Sequence, residues 1–389
     1  MKRARTVHYP QPIPQSALTS HPSSSSGRSD FVTPTSDPEL FDTAMSTSFV
    51  GLAVESPGDL PASCSFKPEG MLGHLQSIEP LYQVDVTQPF GPNTKCAKTF
   101  VERCLMGENG TTYKYLGLRM FSTDWGVEGK GIKVLNEFME DRLRFHLESL
   151  NEKRSYSYSG RCKFDVALVN KMKSYSPADK GNKLKLEPTF SKSHASVSWH
   201  ADSSLEHYSS IGVYHAIVDS SSNVLVDDSS AGHRDSDKWR VGLRVMPDAE
   251  GPTANTRGSS GGATSSLALA ASSADVAIAL PLPNNSLYFL MDDFNHHHQH
   301  CVLCPAASPK PTVRYSSTHR LIRAGNHVGD ILGRAEGAVK NMVKKGARVW
   351  RNELEVWVEI ENEWLRQVRV RLRGSEGKRA QSIECTRAN

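Results

Sequence analysis

His200-Ala201-Asp202 sets an imidazole and a carboxylate two residues apart, and His300 supplies a second imidazole far downstream. Two imidazoles and one carboxylate on one face of a metal leave positions open for a chelating cosubstrate and dioxygen, the arrangement of a non-heme Fe(II) oxygenase. Arg314 and Arg320 follow, six residues apart. A dicarboxylate cosubstrate needs a fixed bidentate cation deep in a protein, and Arg meets that need better than Lys. Taken together, these residues suit iron and a 2-oxoacid.

A His-x-Asp pair is weak evidence in a chain with fifteen histidines, and two other pairs compete with it. His233-Arg234-Asp235 follows the polar run Asp227-Asp228-Ser229-Ser230, which has no apolar frame to hold a ligand. His146 and Glu148 lie on a stretch of helical spacing, where residues two apart point to different faces. Around His200, by contrast, Ala195, Val197 and Trp199 alternate with Ser196 and Ser198, the pattern of a strand with one face buried. In such a strand His200 and Asp202 project to the same side. The third ligand has four candidates in Asn295-His296-His297-His298-Gln299-His300. His296 to His298 read as a solvated turn, whereas His300 opens the apolar run Cys301-Val302-Leu303. Cys301 and Cys304 form a lone CxxC, read as two spaced thiols rather than a zinc or redox site.

The elements needed to position these residues are strands. From Phe164 to Leu321 short apolar or alternating runs succeed one another: 164–169, 196–199, 211–218, 239–245, 276–280, 287–291 and 312–316. Runs of this length between polar turns predict a β-sandwich or barrel, and a jelly roll fits. Asn136 to Leu150 predicts a helix packed on a flatter surface. Leu354, Trp357, Val358, Leu365 and Val368 share one face of a later amphipathic helix. The expected class is α+β: a double-stranded β-helix (jelly-roll) domain with flanking helices and a short, partial C-terminal helical region. Its expected limits are a disordered tail at 1–36, the jelly roll at 37–325 with a flexible insertion at 249–275, and a helical region at 326–389.

Composition sets the outer bounds. The chain has 389 residues, 38% hydrophobic and 23% charged, ordinary values for a soluble protein. No apolar run approaches the roughly 18 residues of a membrane span, and Met1 to Arg5 lead into no apolar signal region, so an intracellular protein is expected. Seven scattered cysteines agree with a reducing compartment. A net charge of +4 permits a polyanionic partner without requiring one. Lys2, Arg3 and Arg5 resemble a fragment of a nuclear signal; the nucleus is the expected location, with the cytoplasm second.

Several blocks, in order, resemble the FTO branch of the AlkB-like nucleic-acid N-demethylases. They are Phe31-Val32-Thr33-Pro34, Thr112-Tyr113-Lys114-Tyr115-Leu116, Val197-Ser198-Trp199-His200, Tyr288 to Asp293, His298 to Leu303, Ser316 to Arg320, and Glu363 to Gln367. The resemblance covers about residues 31 to 370. It implies iron ligation by His200, Asp202 and His300. It implies 2-oxoglutarate binding by Asn170, Tyr288, Arg314, Ser316 and Arg320, with Arg314 on the distal carboxylate. It also implies a methylated base held among Arg103, Tyr113, Tyr115, Leu116, Val197, Ser198 and Trp199, where aromatic faces stack a flipped base and an Arg reads its edge. The implied cofactors are Fe(II), 2-oxoglutarate and O2. The implied partner is methylated RNA or single-stranded DNA, with no membrane and no obligate protein partner.

The expected reaction is oxidative demethylation of N6-methyladenosine or N3-methyluridine/thymidine types, releasing succinate, CO2 and formaldehyde. The rival readings are a 2-oxoglutarate-dependent hydroxylase of protein or small molecules and a catalytically impaired RNA-binding homologue. Three departures from the family stand out. Ser203 follows the metal-binding Asp where the family has an acidic residue used in base recognition. The helical stretch near 134 to 155 looks shorter, and the C-terminal helical region spans only about sixty residues, a native shortening or a truncation.

Overall fold

The computed structural model describes residues 31–345, leaving out 57–58, 60–67, 88–96, 116–117, 127, 153–160, 175–188, 191–192, 227–237, 247–276 and 306–311. The expected tail up to residue 30, the insertion at 249–275 and the helix through Leu354 and Val368 lie outside the described residues, as do His233 and Leu116.

The first strands are β1 (Phe31–Val32), β2 (Leu52–Glu55), β3 (Gln83–Thr87), β4 (Ala97–Gly107), β5 (Thr112–Tyr115), β6 (Leu118–Phe121) and β7 (Thr123–Asp124). Then come β8 (Val166–Lys173), β9 (Thr189–Phe190), β10 (Ser193–His200), β11 (Ile211–Asp219) and β12 (Arg240–Val245). The last are β13 (Ala277–Pro281), β14 (Leu287–Leu290), β15 (His298–Leu303) and β16 (Thr312–Arg320). The helices are α1 (Pro38–Thr47), α2 (Pro68–Ser77), α3 (Lys130–Glu152), α4 (Phe294–His297) and α5 (Val328–Lys345).

The larger sheet runs β2-β14-β11-β16-β8-β4-β3, with β7 beside β4; the smaller runs β1-β13-β12-β15-β10-β9. Within them, β14-β11-β16-β8 and β13-β12-β15-β10 face each other as the two four-stranded sheets of a double-stranded β-helix. The expected jelly roll is therefore the observed fold.

The central strands β11 and β16 are buried almost throughout, because both of their faces are covered. Outward residues Tyr214, Ala216 and Val218 of β11 and Val313 and Tyr315 of β16 pack with Leu135, Met139, Leu143 and Leu147 of α3. Inward residues Ile211 and Val213 pack with Val241, Leu243 and Ile278 of the smaller sheet. The period of two thus sorts each strand between helix and interior. α3 begins at Lys130, six residues before the apolar spacing becomes legible at Asn136, and it is tied to β2 by Glu55. That buried carboxylate accepts from Arg142 Nη2 and from His146 Nε2, both at 2.6 Å. His146, set aside as a metal ligand from sequence, is thus held in a structural hydrogen bond.

One boundary needs correction. Residues 31–36 belong to the domain and not to a tail: β1 pairs in parallel with β13, and Thr33 and Ser36 close a reciprocal turn through backbone-to-hydroxyl bonds of 2.9 and 3.0 Å. Gly242 makes room for this strand, since a Cβ there would stand 2.8 Å from the Phe31 ring. Among the described residues no helix is long and apolar enough to cross a membrane.

Candidate metal and cosubstrate site

His200 ends β10 and sits directly opposite His300 on antiparallel β15. Their rings lie 4.1 Å apart between centroids. Asp202 comes after the strand has ended, so strand alternation does not aim it, contrary to the sequence expectation. Asn295 does so instead: its Oδ1 accepts from the Asp202 backbone N–H and its Nδ2 donates to the Asp202 carbonyl, each at 2.8 Å. The ligand atoms of His200, Asp202 and His300 all come within 4.8 Å of one another, the one such cluster of three among the described residues.

Hydrogen bonds fix how these groups face. His200 Nδ1 donates to the Ser198 carbonyl at 2.8 Å, which leaves Nε2 as the lone-pair nitrogen, 3.8 Å from Asp202 Oδ1. Asp202 Oδ2 accepts from Arg320 Nε at 2.7 Å and Oδ1 accepts from the Tyr113 hydroxyl at 3.0 Å. Burial would raise the Asp202 pKa, but Arg320, His300 and His200 outweigh it and hold the carboxyl well below the usual range. Burial, then the neighbouring His200, pushes His300 down to about 3. An ionised carboxylate and two neutral imidazoles are the protonation states that a divalent metal requires.

A bulge in β10 between Val197 and His200 shifts the register against β15. It brings Val197 and His200 to the same cavity. Trp199 is thereby turned to the outside of the smaller sheet, where its ring stacks on Phe31 at 5.6 Å and lies under the Arg244 guanidinium at 4.6 Å. The Trp199 side chain thus does not share a face with Val197, because the bulge breaks the alternation on which that would depend. Ser198 likewise lies outside the cavity lining.

The cavity lies between the two sheets and is partly open to solvent. Asn170, Tyr288, Arg314, Ser316 and Arg320, the residues expected to hold 2-oxoglutarate, all line it. β16 sends Arg314, Ser316, Thr318 and Arg320 inward, one every second residue, and β8 does the same with Leu168, Asn170 and Met172. Arg103 lines the cavity from β4, opposite Asn170. Tyr113 stands over the Arg320 guanidinium at 4.9 Å. Tyr115 is placed as a backbone position in β5.

Arg314 is 1% exposed and its Nη2 has no hydrogen-bond partner among the described residues. Asn170 Oδ1 is also buried and has no partner among the described residues. Buried polar groups are nearly always satisfied, so a cationic orphan lining a cavity marks the place of an anion. The donor set and these orphans fit a metal ion with a 2-oxo dicarboxylate. Arg320, by contrast, already engages Asp202, and orients the metal-ligand carboxylate as well as lining the cavity.

Sequence reasoning missed two residues. Asn295 aims Asp202, but nothing in a His-rich run marks it. His215 of β11, fully buried, reaches the Pro283 carbonyl through Nε2 at 2.6 Å, so Nδ1 is left to accept from Arg314 Nε at 3.5 Å. Burial first and Arg314 second push its pKa down to about 3, leaving the ring neutral. Its signal was a lone polar residue within the apolar run 211–218.

A jelly roll with a His-Asp-His cluster and a buried arginine on one cavity has the architecture of the Fe(II)/2-oxoglutarate oxygenases. The FTO catalytic domain model matches residues 39–153 and 138–323. This chain belongs to that family. The Alpha-ketoglutarate-dependent dioxygenase FTO of Xenopus laevis is 27% identical over 317 residues, 69% of this chain and 57% of that protein. The chain therefore spans little more than half the length of that relative. Similar solved structures include JOX2 in complex with 2OG, Fe and JA, at TM-score 0.35 and 12% identity, covering 82% of this chain and 86% of that one. OsALKBH1 follows at TM-score 0.34 and 10% identity, covering 70% of this chain and 96% of that one.

Proposed function

We propose that the chain is an Fe(II)/2-oxoglutarate-dependent dioxygenase that removes methyl groups from N-methylated bases in RNA or single-stranded DNA. The observation that carries the reading is the cluster of His200, Asp202 and His300 beside a cavity lined by His200, His300 and the buried Arg314, whose Nη2 has no partner among the described residues. His200, Asp202 and His300 would hold the metal. Arg314, with Ser316, Tyr288 and Asn170, would bind the dicarboxylate. Bound iron with 2-oxoglutarate and O2 supplies the oxidising power that hydroxylates the N-methyl carbon, and the products are succinate, CO2 and formaldehyde. The chain's own contribution is to keep Asp202 ionised through Arg320, to fix the His200 tautomer through Ser198, and to close the cavity with Val197, Val213 and Val302.

Family membership and the placement of Arg103 at this cavity, with Tyr113 bonded to Asp202, support a nucleic-acid base as substrate. Ser203 donates to the Lys114 carbonyl at 2.7 Å, so its side chain is spent on β5. Base recognition therefore falls to Arg103 and Tyr113, and the reading covers both N6-methyladenosine and N3-methyluridine. Nuclear location is part of the proposal and rests on Lys2, Arg3 and Arg5.

The test is mass spectrometry of nucleosides after the protein, iron, ascorbate and 2-oxoglutarate are incubated with single-stranded oligonucleotides carrying each base. Loss of methyl mark with matching succinate, absent in Asp202→Ala, is the expected result. No loss from either base, with succinate stimulated by peptides instead, would overturn the substrate class.

A further inference from the structure

The segment after Asp202 contains two non-glycine residues in the left-handed region, Ser204 at φ 64° and Tyr208 at φ 54°. Such a conformation is uncommon for any non-glycine residue and is sterically costly for a bulky one; where it persists, the surroundings over-determine it and function is the usual reason. Here the strain does not bury the ring: Tyr208 is 53% exposed. The ring is displayed beside two imidazoles. His207 and His296 lie nearly parallel, 5.7 Å apart at 12°, and Tyr208 lies 5.2 Å from His296.

The platform is held in place at several points. The Tyr208 backbone N–H points to His296 Nε2 at 3.5 Å, and the Glu206 N–H donates to the Leu321 carbonyl at 2.9 Å. Arg323 closes the far side, donating its backbone N–H to Ser204 and its Nε to the Leu205 carbonyl. His296 adjoins Asn295, which aims Asp202, so the same two segments that position a metal ligand also carry the rings. His296 is exposed at the surface, and desolvation by its neighbours, with His207 beside it, pushes it down to about 4, so the ring presents an uncharged π-face.

We propose that His207, Tyr208 and His296 form a stacking platform for an unpaired base flanking the target nucleotide, with Arg323 supplying positive charge near the strand. The proposal rests on the nucleic-acid reading above and adds how a neighbouring nucleotide is gripped. Planar rings with a guanidinium nearby suit a single strand, whose every base has a π-face, better than they suit a peptide.

The experiment measures anisotropy of a labelled, unmethylated single-stranded oligonucleotide binding to the full chain and its variants. Tyr208→Ala should weaken binding about tenfold, Tyr208→Phe should retain most affinity, and a duplex of the same sequence should be insensitive to both. Tyr208→Gly separates strain from function: it should bind as poorly as the alanine variant while melting about 2–4 °C higher, because glycine accepts the left-handed backbone. Wild-type affinity in both Tyr208→Ala and His207→Ala, or no single-strand binding by the wild-type protein, would overturn the platform. Tyr208-dependent binding without demethylation of any base would leave the platform standing and remove the proposed reaction.

Discussion

Arg314 is a fully buried guanidinium whose Nη2 has no partner among the described residues, so its anion defines what the cavity takes. Replacing it with Gln should weaken 2-oxoglutarate binding about 10- to 150-fold, the equivalent of a charge-assisted bond of about 1.5–3 kcal/mol. Titration of 2-oxoglutarate into Mn(II)-loaded protein measures this, with Mn(II) affinity unchanged because the His-Asp-His cluster is separate. His215 acts one step back, as a positioning residue for that arginine. His215→Phe removes the acceptor for Arg314 Nε and should raise the KM for 2-oxoglutarate several-fold with kcat little changed, whereas His215→Gln should recover part of the loss. With His215 pushed down to about 3, it stays neutral across working pH, and 2-oxoglutarate affinity should show no step between pH 6 and 8 from this ring. A larger effect on kcat than on KM would assign His215 another role.

At the scale of elements, α3 is fastened to β2 through Glu55, Arg142 and His146. Burial raises the Glu55 pKa, but the bonds from His146 and Arg142 outweigh it and leave the net value below the ordinary one. A depressed folded-state pKa contributes stability above the unfolded pKa and loses it as pH falls through the folded value. Urea midpoints should therefore drop in acid, and Glu55→Ala should lose about 3 kcal/mol at pH 7 and show a flatter acid limb. A wild-type-like pH profile in that variant would show that the tie is idle. The same scale explains what the sequence made legible. Alternation in β16 places Arg314 and Arg320 on one face because that strand is regular over the six residues that separate them. The identical reasoning misplaces Trp199, because a bulge in β10 leaves no mark in residue types. β1 is marked by the family resemblance at Phe31 to Pro34 but not by any period, since two apolar residues after a Ser-rich run carry none, and the start of α3 escapes notice because Lys130 to Lys133 include a glycine and two charges. His215 escapes because a polar residue in an apolar run looks like a satisfied core histidine until its partner, nearly a hundred residues away, is known.

At the scale of the whole molecule, the cavity lies in the seam between two sheets. Val197, His200, His300 and Val302 come from the smaller one and the remaining lining residues from the larger. A ligand present at a hundred times its Kd stabilises a protein by about 2.7 kcal/mol. For a domain of this size that amounts to roughly 5–10 °C in melting temperature, measurable by scanning fluorimetry with Mn(II) and a non-reacting 2-oxoglutarate analogue. Arg314→Gln should abolish the analogue's share of the shift and keep the metal's. Since the triad and the arginine belong to opposite walls, whatever fills the cavity works as a clasp. Without ligand the two sheets are joined by their apolar filling and by the Arg320–Asp202 pair, and a bound ligand adds a further rivet through the centre. Hydrogen exchange should accordingly slow in β10 and β16 together on loading, so that cosubstrate supply sets how long the folded protein lasts as well as whether it can react.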